Sequence, residues 1–362
     1  VTFLMKKHKI EVIAGTARLE KGAPAPKVIV GDRTVQANNV ILATGARARE
    51  IAQAGLVADG ERVWSYREAM VPKAAPKSVV VIGSGAIGIE FASFYRALGA
   101  EVTVVEMLGR IVPVEDEDVS AAARKAFERR GIKFLVGAKV EQLTTAKDGV
   151  SLKLADQTLR ADVAIVAVGI VGNVENLGLE ALGVKIDRTH VVIDEHGGTG
   201  VPGLYAIGDV AGPPWLAHKA SHEGIHCVEH IAGLKPQNLH APIPGCTYSQ
   251  PQIASVGLTE AQARDGGREI KVGRFPFRVN GKAIASGETE GFVKTIFDGK
   301  TGALLGAHMI GAEVTEMIQG FAIAMTMEAT EAELQGTVFP HPTLSEAMHE
   351  ASLDAYGKVL HI

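Results

Sequence analysis

The chain has 362 residues, of which 46% are hydrophobic and 22% charged, and its formal net charge is −4 at pH 7. This length is more than one hydrophobic core usually serves, so the sequence predicts two or three domains of an ordinary globular protein. The slightly negative charge argues against nucleic acid or an anionic lipid surface as a partner, and no apolar run is long enough to span a bilayer.

The chain contains two cysteines, Cys227 and Cys246, with eighteen residues between them. So few cysteines exclude a disulfide scaffold and are typical of a reducing compartment. The spacing matches no compact redox motif, so we expect both to be inert structural thiols.

The first part of the chain alternates β-like runs with turns. Strands are predicted for residues 9–13, 27–30 and 39–43, and the last of these ends at Thr44-Gly45-Ala46. From Lys77 onward strand and helix patterns alternate, which is typical of a parallel sheet with crossover helices.

A glycine-rich turn follows the predicted strand at residues 79–82, with Gly83, Gly85 and Gly88 in the spacing Gly-x-Gly-x-x-Gly. In such a motif the first glycine makes a tight turn, the second lets the backbone approach a pyrophosphate, and the third lets helix and strand pack closely. The predicted helix over residues 89–98 would present its N-terminal N–H groups to the phosphates.

Glu106 ends the next predicted strand, residues 102–105, eighteen positions beyond Gly88. A carboxylate there can accept hydrogen bonds from the adenosine ribose and would repel a 2′-phosphate, so the pattern favours NAD over NADP. FAD at this site is the main alternative. Residues predicted to bind NAD from this motif are Gly83, Ser84, Gly85, Ala86, Ile87, Gly88, Ile89 and Glu106.

Two clusters of ionisable residues, one acidic and one of histidines, lie between the motifs. The acidic run at residues 115–118 precedes a helical pattern and is interpreted as a solvated helix cap. Four histidines, His218, His222, His226 and His230, recur every fourth position, a spacing that could hold a metal pair. The intervening residues supply no clear carboxylate or cysteine set, so no metal site is predicted.

The C-terminal part has another texture, with strand-like stretches at residues 252–256, 291–297 and 303–310 before a predicted helix at 313–328. Apolar side chains fall on one face of that helix, which predicts core or interface packing.

Near the C-terminus, in the stretch Phe339-Pro340-His341-Pro342-Thr343-Leu344-Ser345-Glu346, a histidine precedes a glutamate by five positions. An imidazole oriented by a carboxylate is suited to general acid/base catalysis near neutral pH. Thr343 and Glu346 could instead form a helix capping box, and His341 could be an ordinary turn residue.

These motifs occur in the order seen in the flavin- and nicotinamide-dependent pyridine nucleotide-disulfide oxidoreductases, and the chain resembles that family over its full length. The stretch at residues 205–209, Tyr-Ala-Ile-Gly-Asp, resembles the family's second flavin motif, although it could be an ordinary turn. Within the family, Glu106, residues 257–261 and the His341 region resemble dihydrolipoamide dehydrogenases more than NADPH-linked glutathione reductases. Residues 169–173 depart from the family's Gly-Arg-x-Pro-Asn pattern.

The resemblance implies roles for individual residues. Its FAD-binding candidates are Thr44, Gly45, Ala46, Asp209, Trp215, Leu216, Ala217 and His218, and its further NAD-binding candidates are Glu90, Val140 and Gly169. Glu90 could also be a carboxylate favoured at a helix N-terminus. His341 is implied as the catalytic acid/base, oriented by Glu346, and it would serve the flavin of the other subunit of a homodimer.

The implied fold class is α/β: a parallel-sheet dinucleotide-binding domain, a partial FAD domain and a C-terminal α+β dimerisation domain. The predicted boundaries are 1–46 for a remnant of the FAD domain, 47–171 for the NAD domain, 172–239 for the returning FAD part and 240–362 for dimerisation. The implied activity is FAD-dependent oxidation of protein-bound dihydrolipoamide with reduction of NAD in a 2-oxo acid dehydrogenase complex. Its partner would be the lipoyl-bearing acyltransferase, in a bacterial cytoplasm or, alternatively, a mitochondrial matrix.

The family's first flavin fingerprint and its Cys-x4-Cys pair would occupy about one hundred residues before Val1. The chain as given is therefore expected to be a dimer that binds NAD without turnover. Two alternatives to the oxidation of dihydrolipoamide stay open for the function: a truncated, non-catalytic NAD-binding dimerisation module, and a sibling reductase of another disulfide or of a metal ion.

Overall fold

The computed structural model describes residues 1–235 and 241–362. Its α-helices are α1 (Thr2–Lys7), α2 (Tyr66–Met70), α3 (Ala86–Ala97), α4 (Glu117–Arg129), α5 (Leu179–Leu182), α6 (Ala217–Ile231), α7 (Glu260–Asp265), α8 (Gly281–Ser286), α9 (Val314–Thr326), α10 (Glu331–Gly336) and α11 (Glu346–Asp354). Its strands are β1 (Ala17–Glu20), β2 (Lys27–Val30), β3 (Arg33–Val35), β4 (Val40–Leu42), β5 (Ala46–Ala48), β6 (Val63–Trp64), β7 (Ser78–Ile82), β8 (Glu101–Val105), β9 (Ile132–Leu135), β10 (Val140–Ala146), β11 (Gly149–Leu154), β12 (Thr158–Ala161), β13 (Val163–Val166), β14 (Ile170–Gly172), β15 (Ile186–Asp187), β16 (His190–Val191), β17 (Leu204–Ala206), β18 (Gly245–Thr247), β19 (Gln252–Gly257), β20 (Ile270–Pro276), β21 (Phe292–Asp298) and β22 (Leu304–Gly311).

The chain forms two compact units. One combines Val1–Arg47 with Ile170–Leu239, and the other combines Ala48–Gly169 with His240–Ile362. The division into four domains stays a prediction, and its boundary between residues 239 and 240 lies outside the described residues. The mixed α/β fold class is confirmed, because one parallel and one antiparallel five-stranded sheet are both present.

In the first unit β4 pairs in parallel with β17, with Leu42 opposite Ala206. Both strands end in the buried core, since Leu42 is 6% and Ala206 0% exposed. Because the carboxyl ends of parallel strands meet at one edge, the residues after β4 and those after β17 lie beside each other.

The strand predicted for residues 9–13 is wrong, because this segment follows α1 without any β pairing. Lys9 has φ +55° as α1 ends, and two of the segment's three large apolar side chains, those of Ile10 and Val12, are exposed. An alternating pattern forms a strand only when it finds a neighbouring strand and an apolar surface to cover. The strands predicted for residues 27–30 and 39–43 are confirmed as β2 and β4.

The second unit contains a parallel sheet in the order β6-β13-β7-β8-β9. Its central strand β7 is buried along Val79–Ile82, which explains the unbroken apolar run, since parallel strands are covered on both faces. Helix α3 connects β7 to β8, and α4 connects β8 to β9. A three-stranded antiparallel sheet, β10-β11-β12, follows.

The C-terminal part of the second unit is an antiparallel sheet in the order β18-β19-β22-β21-β20, contacted by α9 and α11. The apolar face predicted for α9 is confirmed, because Val314, Met317, Ile318 and Phe321 are buried. Among the described residues no helix is both long and apolar enough to cross a membrane.

The sequence predicts that the acidic run at residues 115–118 is a solvated cap of α4. The capping part of this prediction is right, and the solvated part is wrong. Asp116 is the N-cap of α4 and accepts a hydrogen bond from the N–H of Asp118, so the capping role holds. However, Asp116 is only 2% exposed, because Lys294 reaches it from β21. The cation that buries this cap stands 178 positions away in the sequence, so the local pattern could not reveal it.

Candidate functional site

The glycine loop between β7 and α3 is shaped by two close backbone contacts. Gly83 has φ +101°, and a Cβ there would lie 2.3 Å from the carbonyl oxygen of Ala167. A Cβ at Gly88 would lie 2.1 Å from the carbonyl oxygen of Gly83. Both glycines are therefore required by the fold, as the fingerprint predicts.

Gly85 differs from these two glycines, since its φ is −67° and a Cβ there would meet nothing within 4 Å. It is the N-cap of α3, and no side chain caps this helix end. The first N–H groups of α3 therefore lack intrahelical acceptors and face an open approach, next to the exposed side chain of Ile87. This arrangement fits a phosphate group.

Glu106 follows β8 and is turned toward the glycine loop. Its Oε2 accepts hydrogen bonds from the N–H and the hydroxyl of Ser84, at 2.9 and 2.7 Å. Its Oε1 accepts one from the N–H of Leu108 at 2.7 Å. The carboxylate predicted to bind the ribose is therefore held in one orientation at the carboxyl edge of the sheet.

Three other predicted NAD residues have separate environments. The Ile89 side chain is 1% exposed and belongs to the core, so it cannot line an open groove. Val140 begins β10 and packs half-buried against a second core cluster. Gly169 has φ +103°, and its carbonyl oxygen accepts from the N–H of Arg49 at 2.9 Å.

Glu90 lies in the first half of α3 and is half-buried. Burial raises the pKa of its carboxyl group, although the hydrogen bond from the N–H of Tyr248 opposes this shift. That bond, 2.9 Å long, joins α3 to the segment between β18 and β19. Neither of the two roles predicted for Glu90, a helix N-terminal carboxylate or an NAD-binding residue, includes this contact.

The predicted flavin residues lie in the first unit. Thr44 and Asn173 exchange two hydrogen bonds, from the Thr44 hydroxyl to the Asn173 carbonyl oxygen at 2.8 Å and from the Asn173 amide to the Thr44 carbonyl oxygen at 2.9 Å. The N–H of Asn173 donates to the carbonyl oxygen of Gly45. Asn173 therefore fixes the turn at Thr44, Gly45 and Ala46.

Asp209 follows β17, where the N–H of Ile207 donates to the carbonyl oxygen of Leu42. Its half-buried carboxylate forms no hydrogen bond or ion pair with the rest of the described chain. A carboxylate in that state is suited to accept from the hydroxyl groups of a bound ligand. The observation fits the predicted role of Asp209 in binding FAD.

Sequence reasoning missed the residues that support this edge. Glu223 accepts from the N–H of Gly208 at 2.7 Å and pairs with Lys219 at 2.6 Å. Trp215 donates its indole N–H to Nε2 of His190 at 3.1 Å, and the two rings stack. The i,i+4 spacing of Lys219 and Glu223 was a usable signal. His190 had none, since it lies far from Trp215 in sequence.

The histidines of α6 do not gather into one site. His222 and His226 meet edge to face, whereas His230 stacks on His196, with ring centroids 4.1 Å apart. In the described part of the chain no group of three or more His, Cys, Asp or Glu side chains is placed to hold a metal ion.

Neither thiol is arranged for redox chemistry. Burial raises the pKa of Cys227 and also that of Cys246, which lowers the thiolate fraction of both. Thiols that remain protonated are poor nucleophiles, so an inert structural role fits both.

His341 and Glu346 meet as the sequence predicts. Nδ1 of His341 lies 2.8 Å from Oε1 of Glu346, while the imidazole is 75% exposed. Nε2 of His341 has no hydrogen-bond partner among the described residues, so it is available to a reacting group. A geometrically similar pair of His361 and Glu350 lies nearby at 2.6 Å.

Glu346 also binds the backbone, since its Oε2 accepts from the N–H of Thr343 at 2.9 Å. Burial by itself raises the pKa of Glu346, but the bonds from Thr343 and His341 outweigh it and lower the pKa. The Thr343 hydroxyl donates to the carbonyl oxygen of Pro340 instead of capping α11. Half of a capping box therefore exists, and it fixes the carboxylate that orients His341.

Comparison with known proteins identifies the family. The sequence profile of the pyridine nucleotide-disulphide oxidoreductases matches residues 1–224, and the profile of their dimerisation domain matches residues 243–352. The chain belongs to this family. As its dimerisation domain implies, members of this kind form homodimers, in agreement with the prediction.

Curated relatives in the family are bacterial dihydrolipoyl dehydrogenases. The chain is 56% identical to that of Rhizobium etli, covering 99% of this chain and 79% of the relative. It is 52% identical to that of Zymomonas mobilis, covering 100% and 79%. The crystal structure of LpdA from Mycobacterium tuberculosis superposes with a TM-score of 0.89 at 29% identity, covering 97% of this chain and 78% of that one.

Proposed function

We infer that this pyridine nucleotide-disulphide oxidoreductase is a dihydrolipoyl dehydrogenase. It oxidises the dithiol of a dihydrolipoyl group to the cyclic disulfide and reduces NAD⁺ to NADH with release of one proton. Support comes from the identities of 56% and 52% to enzymes of that name and from the hydrogen-bonded pair of His341 and Glu346.

The cofactors are FAD and NAD, and residues of this chain fit both. The uncapped start of α3 and the open approach at Gly85 would hold the NAD phosphates, with Glu106 at the ribose. The unpaired carboxylate of Asp209 and the turn at Gly45 would contact the flavin's ribityl chain. When bound, FAD would supply the two-electron transfer between the dithiol and NAD.

His341 carries the proton chemistry in this proposal. In the tautomer in which Nδ1–H donates a hydrogen bond to Glu346, Nε2 presents its lone pair to solvent and can take the proton of an approaching thiol. The thiolate that forms is the nucleophile that disulfide exchange requires. Glu346 keeps the tautomer and stabilises the imidazolium, and Thr343 keeps Glu346 in place.

We further propose that the substrate dithiol belongs to the lipoyl-bearing acyltransferase of a 2-oxo acid dehydrogenase complex. His341 would serve the flavin of the partner subunit, so each active site would use two chains. The bacterial sources of the relatives favour a bacterial cytoplasm as the compartment, with the mitochondrial matrix as the alternative.

A direct assay tests the proposal. The enzyme expressed from its full coding sequence should form NADH from dihydrolipoamide and NAD⁺, and should prefer NAD⁺ to NADP⁺. Glutathione disulfide with NADPH serves as the control substrate pair. Rapid turnover of that pair, with no activity on dihydrolipoamide, would instead identify a sibling disulfide reductase.

A further inference from the structure

Ser84 and Glu106 form a buried pair at the carboxyl edge of the parallel sheet. Ser84 is 0% exposed and Glu106 8% exposed. Ser84 donates twice to the same oxygen, its N–H at 2.9 Å and its hydroxyl at 2.7 Å from Oε2 of Glu106. Because the hydroxyl is closed off from solvent, this carboxylate is its hydrogen-bond acceptor.

The backbones of both residues are fixed by other segments. The carbonyl oxygen of Ser84 accepts from the N–H of Val112 at 2.9 Å. Glu106 donates its N–H to Leu135 and accepts from the N–H of Ala138, at 2.8 and 2.9 Å. Neither backbone can therefore move toward the other, and the Ser84 hydroxyl acts on the orientation of the Glu106 side chain.

The hydrogen bonds also limit what Glu106 can offer to a ligand. A carboxylate provides about four acceptor positions. Three are taken, two by Ser84 and one by the N–H of Leu108. The three bonds fix the direction of the remaining acceptor position of the carboxylate. A ligand hydroxyl therefore meets an acceptor that is already oriented.

We propose that Ser84 is a positioning residue for dinucleotide recognition, acting through Glu106 on the adenosine ribose. This inference rests on the proposed function, in which Glu106 accepts from the ribose hydroxyls. Ser84 stands at the first x position of the Gly-x-Gly-x-x-Gly motif, and the sequence counts it among the NAD-binding residues. Its bonds to Glu106 specify how its side chain would act. Loss of the Ser84 hydroxyl leaves the hydrogen bond from the Ser84 N–H but frees the Glu106 carboxylate to rotate. Ligand binding must then order this carboxylate, at a cost in conformational entropy.

Fluorescence titration of NADH against wild type and Ser84→Ala tests the proposal. The same titration uses an NADH analogue whose adenosine ribose lacks both hydroxyls. We expect Ser84→Ala to weaken NADH binding about three- to tenfold, the range for the net contribution of one typical hydrogen bond. Binding of the analogue should change by less than about twofold, because the hydroxyls through which Ser84 acts are absent.

A second cycle uses Glu106→Gln, which keeps the size of the side chain. In that background Ser84→Ala should change NADH binding by less than about twofold. In the otherwise wild-type protein, Ser84→Thr retains a hydroxyl and should therefore bind NADH more tightly than Ser84→Ala does. Ser84→Cys fills the space of the hydroxyl with a weak hydrogen-bond donor, so its NADH affinity should equal that of Ser84→Ala. Ser84→Cys takes the place of Ser84→Ala in both titrations if thermal unfolding shows that Ser84→Ala is folded poorly.

The outcomes distinguish failure of the inference about Ser84 from failure of the proposed contact between Glu106 and the ribose. Equal weakening of NADH and the analogue by Ser84→Ala would overturn the inference, because Ser84 would then merely support the loop. Equal binding of NADH and the analogue by wild type would remove Glu106 from the ribose, and would overturn both the inference and that part of the proposed function.

Discussion

Nζ of Lys294 lies 2.8 Å from Oδ1 of Asp116, and the two side chains are 3% and 2% exposed. Asp118 and Glu260 complete the coordination of this ammonium, each at 2.8 Å, so all three of its protons have carboxylate acceptors. The network joins the start of α4 to β21 and therefore ties the parallel sheet to the antiparallel sheet inside the second unit.

Lys294→Ala should destabilise the protein by about 3–5 kcal/mol, because it leaves Asp116 charged and buried without its partner. Urea unfolding measures the free energy. Lys153→Ala is the matched control, since Lys153 pairs with Glu141 at 2.9 Å but is 65% exposed. Its cost should be about 0–1 kcal/mol. Equal costs for the two variants would show that the buried network contributes nothing special.

His308 should make stability depend on pH. Burial lowers its pKa below 6.5, and the charge of Lys294 acts in the same direction, while the bond to the Leu258 carbonyl oxygen and Asp116 oppose them. The unfolded chain therefore binds a proton more readily than the folded one. This contribution to stability is complete above the unfolded pKa and is lost as pH falls through that value toward the folded pKa.

Unfolding free energies at about pH 7.5 and about pH 5.5 test this, a window that brackets the unfolded histidine pKa. Wild type should lose more stability on acidification than His308→Gln, whose amide can still donate to Leu258. If both proteins lose the same amount, His308 does not titrate differently in the folded state.

Gly85→Ala and Gly88→Ala should separate binding from folding. The Cβ at Gly85 meets nothing within 4 Å, so this variant should keep its thermal stability while its methyl group obstructs the phosphate approach. We expect its NADH affinity to fall at least about tenfold, or ~1.4 kcal/mol. Gly88→Ala, with a Cβ 2.1 Å from the Gly83 carbonyl oxygen, should lower the unfolding temperature. Full NADH affinity in stable Gly85→Ala would argue against phosphate binding there.

Glu106→Arg should weaken NADH by about 1–3 kcal/mol, through loss of hydrogen bonds from the ribose to a charged acceptor. It should also shift preference toward NADPH. Glu101→Arg makes the same charge change at the exposed opposite end of β8 and should leave both affinities as they are. Titrations of NADH and NADPH against the two variants decide this, and an unchanged preference in Glu106→Arg would remove Glu106 from the site.

The sequence predicted the dinucleotide loop well because its determinants are local. Strand, glycines, helix and Glu106 lie within one βαβ unit, and Gly88 is required by a contact with the carbonyl oxygen of Gly83, five positions away. The same holds for His341 and Glu346, five positions apart in one turn. Local spacing was sufficient to bring these side chains together.

Contacts between distant segments could not be predicted. Lys294 shows no pattern in its strand that marks it as the partner of Asp116, and the bond from Tyr248 to Glu90 spans 158 positions. The NAD-binding role of Ile89 stays a prediction, although its side chain lies in the core. A motif marks positions along the chain, whereas the 3.6-residue helical turn sends this side chain into the core.

The most direct test of the proposed function is His341→Gln in the enzyme expressed from its full coding sequence. Two rates are measured: NAD⁺ reduction by dihydrolipoamide, and NADH oxidation by an artificial electron acceptor that bypasses the thiol chemistry. His361→Gln is the control, because His361 also bonds a carboxylate and is 71% exposed. Loss of the general acid/base should reduce the dithiol rate at least ~10²-fold and spare the acceptor rate, while the control keeps both. Equal loss of both rates in His341→Gln, or an unchanged dithiol rate, would contradict the role of His341.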